Sequence, residues 1–145
     1  MTVYKMFASA AGVTTVVSAS IDIQNDGIIE AITLGVTSRD DATTSIPYNV
    51  VAEVSFGSTN TFSTNDARAS LCQAAIHHEA TTTTPALGNI GVPFCVIPGL
   101  SVKVAAGERI FLHCQASSAA LEVANAVAYL FVRDGQDALP ERRRR

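Results

Sequence analysis

The chain has 145 residues, 48% hydrophobic, 16% charged and 6% aromatic, which suits one domain that closes a core without metal or disulfide. Its charged fraction lies well under the roughly 25% of ordinary soluble domains, and no apolar run approaches the ~20 residues of a membrane helix. The net charge is −3; setting aside Arg142, Arg143, Arg144 and Arg145 leaves six Lys and Arg against thirteen Asp and Glu, or −7, which excludes a basic nucleic-acid-binding domain of the usual kind.

Met1–Val17 carries one Lys, and its mildly apolar stretch is broken by Ser9, Gly12, Thr14 and Thr15. It makes a poor signal peptide and reads as a short arm leading into the domain. Period-two alternation, the mark of half-buried strands, starts with Val13, Thr15, Val17, Ala19, Ile21 and Ile23. Asn25-Asp26-Gly27 is a turn signal, since these residues tolerate positive φ. Ile28, Ile32, Leu34 and Val36 then share a parity, with Glu30 as the exception, and Ser38–Ser45 is a polar connection. Val50, Ala52, Val54 and Phe56 alternate against Val51, Glu53 and Ser55, the cleanest one-sided strand in the chain.

Asp66–Ala80 supports two readings. Leu71, Cys72, Ala75 and Ile76 line one helical face, whereas Cys72, Ala74 and Ile76 line a strand; β neighbours on both sides favour the strand. Thr81–Pro85 and Gly88–Gly91 are loops. Val92–Ile97 is apolar on both parities and is expected to be buried on both faces. Leu100, Val102 and Val104 alternate, Ala105–Glu108 turns, and Ile110, Leu112 and Cys114 alternate again. Ala116–Asn125 reads as a small-residue loop or short helical turn. Val127–Val132 is a central apolar strand, and 133–145 an exposed Arg-rich tail.

About eight strands with frequent turns predict an all-β fold, two antiparallel sheets packed face to face. An eight-stranded jelly roll is the simplest assignment, with an immunoglobulin-like sandwich as runner-up. The expected domain spans 1–132.

The chemistry-bearing residues do not assemble into a known motif. Cys72, Cys95 and Cys114 are odd in number and far apart, which fits reduced core thiols. His77-His78-Glu79 is the most tempting metal cluster, but adjacent strand residues face opposite ways, and no Cys-x-x-Cys or His-x-x-x-His spacing is present. His113 beside Cys114 fails as a base–nucleophile pair for the same reason. Asp40-Asp41 and Asp134/Asp137 read as solvated loop carboxylates, and Gly88–Gly91 lacks the Lys-Ser/Thr of a phosphate loop. No catalytic, cofactor-binding or metal-binding residue is therefore predicted. The Arg142–Arg145 run suits an acidic protein surface or phosphate.

The segment from Val102 to Cys114, with Ala106-Gly107-Glu108-Arg109-Ile110 at its centre, resembles a recurring hairpin of small phage virion proteins, in which two late jelly-roll strands are joined. Ala126–Val132 stands at the matching distance as a terminal strand. Asn65–Arg68 and Ile21-Asp22-Ile23 with Gly27 are similar to the same kind of protein. The resemblance implies a non-enzymatic capsid cement or decoration protein. Such a protein sits on the outside of a phage shell, bridges neighbouring major capsid protein subunits, and forms a homodimer or homotrimer. It would be made in the host bacterial cytoplasm and reside on the virion, without membrane or nucleic-acid partners. A carbohydrate-binding or host-attachment module of a tail fibre or spike is the alternative.

Overall fold

The computed structural model describes residues 1–10, 13–40, 48–56, 70–78, 94–117 and 121–135, with 38–40, 48, 77–78, 94–95 and 121–123 described by backbone alone. Eight strands follow in chain order: β1 (Thr2–Ser9), β2 (Val17–Asp22), β3 (Gly27–Asp40), β4 (Tyr48–Ser55), β5 (Ser70–His78), β6 (Phe94–Val104), β7 (Arg109–Ala116) and β8 (Leu121–Asp134). They form two four-stranded antiparallel sheets, ordered β1-β8-β3-β6 and β2-β7-β4-β5. Strand β1 pairs with β8, β2 with β7, β3 with β6 and β4 with β5. The chain is thus one long antiparallel ribbon folded at its middle and rolled up, which defines a jelly roll. The immunoglobulin-like order is excluded, because among the described strands β4 and β5 are the only consecutive pair within a sheet.

The core lies between the sheets and is built by alternation. Tyr4, Met6 and Ala8 of β1 face inward with Ala124, Ala126, Ala128, Leu130 and Val132 of β8. Val50, Ala52 and Val54 oppose them with Ile110, Leu112 and Cys114. The small residues on β8 let Ile and Leu from the facing strands fill the space at close-packed density.

Several expectations need correction. The N-terminal arm is β1, an edge strand in register with β8 from Thr2↔Val132 to Ser9↔Asn125. On β3 the buried parity starts at Ile29, not Ile28, and resumes at Ile32. A bulge places Glu30 as an extra residue between Ile29↔Val132 and Ala31↔Phe131, and one extra residue flips the side chains to the other face. Glu30 then pairs outside the core with Arg133 Nε at 2.6 Å. Strand β3 continues to Asp40 through the supposed polar connection, and β8 begins at Leu121 inside the supposed loop. It also continues through Arg133 and Asp134, past the expected boundary at 132. Residues 70–78 of the ambiguous segment are strand.

Asn25–Gly27 and Ala105–Glu108 do not close hairpins. Each carries the chain from one sheet to the other, and the two corners are tied together at one end of the sandwich. Ile23 N–H donates to Glu108 O at 2.9 Å, Gly107 N–H to Ile23 O at 2.7 Å, and Ala106 N–H to Asp26 Oδ1 at 2.8 Å. Gly107 sits at φ +84°, a conformation that favours glycine.

Candidate functional site

Two outward faces carry the features that could act. On the β2-β7-β4-β5 sheet, register places Ser18 opposite His113, His113 opposite Glu53, and Glu53 opposite Gln73. One polar side chain from each strand thus forms a single row across the sheet. Ser18 Oγ and His113 Nδ1 share a hydrogen bond of 2.7 Å, whose direction follows the imidazole tautomer. Gln73 Nε2 donates to Glu53 Oε2 at 2.6 Å. The Phe111 ring stacks on His113, centroids 5.8 Å apart and planes 7° from parallel. Glu53, Ser55 and His113 are fully buried although they face away from the inter-sheet core, so β4 is not the one-sided strand expected.

Burial holds the His113 imidazole below the ordinary histidine value of 6.5, and the Glu53 carboxylate opposes that shift. A buried carboxylate beside a buried imidazole is stable only when its lone pairs are met by donors, and Gln73 supplies one. Serine, histidine and an acid in one row invite comparison with a nucleophilic triad. In such a triad the acid orients the base, and the base must reach the substrate's leaving group; His113, which would have to do so, is fully buried. The row therefore reads as packing and register fixing for the sheet.

Other candidate residues are dispersed. Cys114 and Cys72 lie buried in the core, and burial pushes the Cys114 thiol up to about 11, which suppresses the reactive thiolate. His113 and Cys114 point to opposite faces, as their adjacency predicts. Histidines 77 and 78 lie on β5 and Cys95 on β6, described by backbone alone; Glu79, Asp41, Asp137, 88–91 and the Arg142–Arg145 run fall outside the described residues. Asp134 belongs to β8 and accepts the Thr2 hydroxyl at 3.0 Å. Asp22 takes a two-pronged ion pair from Arg109, at 2.6 and 3.0 Å, which lowers the carboxyl's affinity for protons. Among the described residues no three His, Cys, Asp or Glu side chains converge to hold a metal, and no helix is long and apolar enough to cross a membrane.

The second face is the outside of the β1-β8-β3-β6 sheet. Its register rows are Val3–Phe131–Ala31–Pro98 and Lys5–Tyr129–Thr33–Val96, followed by Phe7–Val127–Gly35. Val3 is 51% exposed, Phe7 56% and Val96 52%. The expectation that Val92–Ile97 is buried on both faces is thus wrong at Val96, because β6 is an edge strand and no described residue covers Val96 from outside. Lys5 is the one charged residue within these rows, and its ammonium lies 5.8 Å from the centre of the Tyr129 ring, an arrangement that screens the charge over an aromatic face. The polar margins are Ser9–Asn125–Thr37 at one end and the Glu30–Arg133 pair at the other.

No family model and no curated protein sequence matches the chain. Among solved structures it is similar to an Eiger TNF from S. frugiperda, at 12% identity, covering 94% of this chain and 98% of that one with a TM-score of 0.39. It is also similar to Desmodium yellow mottle tymovirus (8% identity, 92% and 87% covered, TM-score 0.39) and to the Gt strain of infectious bursal disease virus (15%, 92% and 37%, TM-score 0.28). At such TM-scores these likenesses carry no argument, and the jelly roll rests on the chain's own strand order. The class so defined is an all-β jelly-roll sandwich with one apolar face left open.

Proposed function

We propose that the chain is a structural virion protein that binds the outside of a phage capsid and stabilises it by bridging major capsid protein subunits. The observation that carries this reading is the open apolar face of β1-β8-β3-β6. Exposed contiguous apolar surface on a small domain marks a protein-contact site. Sandwich and face together make a rigid wedge for surfaces, not a cleft for a small molecule. Catalysis plays no part in this role, and neither does a cofactor. The Arg142–Arg145 run adds a cationic arm suited to carboxylates on neighbouring shell subunits, with planar guanidinium groups pairing better than Lys would. Many weak contacts repeated around a symmetric shell accumulate avidity.

Cryo-microscopy of native particles tests this reading. Density for the sandwich between capsid subunits on the outer surface is the expected result. A few copies confined to the tail vertex would instead identify a host-attachment module and remove the cement role.

A further inference from the structure

We propose that the outer face of the β1-β8-β3-β6 sheet is covered by the same face of a second copy of this chain, related by a two-fold axis. The inference rests on the protein-binding reading above and names the occupant of that face.

Size comes first. Four strands about 4.8 Å apart and eight residues about 3.3 Å apart span a plane of roughly 500 Å². Side chains standing on that plane raise its accessible area toward the about 800 Å² per partner of a standard interface. The composition is that of an interface core, with Val3, Phe7, Val127, Phe131, Val96 and Pro98 within a polar margin.

The symmetry follows from what else the surface offers. Among the described residues the exposed large hydrophobics are Met1, Val3, Phe7, Val13 and Val96. Val3, Phe7 and Val96 stand on this face, and Met1 shares the parity of Val3 on the same edge. Val13 alone, 38% exposed, lies elsewhere. A head-to-tail ring would need a second, different apolar patch to receive the first, and the described surface has none. A patch that meets its own copy forms a closed two-fold contact. Charge limits how the copies can align: Glu30 and Arg133 at the margin form an internal ion pair, but Lys5 over Tyr129 and Lys103 at the same margin are exposed cations, so the two-fold axis must hold each away from its copy.

Sedimentation of the full chain at micromolar concentration tests the pairing. The expected mass is twice the 15.2 kDa chain. Phe7→Glu and Val96→Glu, on opposite edges of the face, are each expected to weaken association at least about thirtyfold, because each would bury an unpaired carboxylate in an apolar contact. Ser20→Glu, exposed on the other sheet, is expected to leave the dimer intact. Thermal unfolding identifies which variants keep the fold, and either face variant alone suffices. A wild-type monomer, a trimer mass, or folded face variants that still dimerise would each overturn the proposal. A monomer that nevertheless occupies the capsid surface removes the pairing and leaves the cement role standing; a dimer not found on particles supports the pairing without that role.

Discussion

At the residue scale, His113 reports on the protein most directly. The imidazole is neutral in the folded state because burial disfavours its charge, more than the nearby Glu53 carboxylate favours it. In the unfolded chain the same group titrates near 6.5. Below that value the unfolded state binds the extra proton and the folded state resists it, so this residue's contribution to stability falls as pH drops. The loss begins as pH passes 6.5 and levels off below the lowered folded value. His113→Gln keeps a polar side chain in the row and removes the titration. Denaturant unfolding of both proteins between pH 8 and pH 5 should show the wild type losing stability relative to the variant below about pH 6.5; parallel curves would mean the imidazole is not held neutral. The row itself could not be seen in the sequence. Glu53 stands out within a Val-rich strand, but Ser18, His113 and Gln73 join it only once the register of four strands is known.

At the element scale, the close approach of β3 to β8 sets the strictest local demand. A Cβ on Gly27 would lie 2.6 Å from Arg133 O and 2.8 Å from Val132 Cγ1. Backbone cannot yield as a flexible side chain does, so Gly27→Ala should cost about 2–3 kcal/mol through overpacking, measured as a lowered unfolding midpoint with an unchanged denaturant slope. The sequence marks Gly27 as a turn residue; its packing role appears only with β8 beside it. Strands β2, β4 and β7 were legible because their alternation is clean. Strand β1 was not, since Val3 and Phe7 on one parity and Tyr4 and Met6 on the other are all apolar, which hides the period of two. The parity shift at Glu30 was visible as an anomaly, and the bulge explains it. The open face was half legible: Val127–Val132 is apolar on both sides as expected, but sequence alone cannot say which of its faces lacks a covering layer.

At the scale of the whole molecule, pairing the ribbon's far ends dominates folding. Thr2 meets Val132, and Ser9 meets Asn125, so the sheet that holds β1 and β8 forms only after closure of nearly the longest loop the chain allows. Contacts so distant in sequence slow the search, and stopped-flow refolding should occupy milliseconds to seconds. A microsecond phase that recovers the full native signal would contradict that expectation. The same arrangement has a consequence during synthesis. Strand β1 leaves the ribosome before the other seven strands, yet its partner is translated about 120 residues later, roughly 6–24 s at ordinary elongation rates. Throughout that interval Val3, Tyr4, Met6 and Phe7 have neither neighbour nor core. The nascent chain therefore carries β1 unpaired and sticky until β8 emerges, which makes it a client for chaperones that bind extended apolar segments, and makes high expression prone to inclusion bodies.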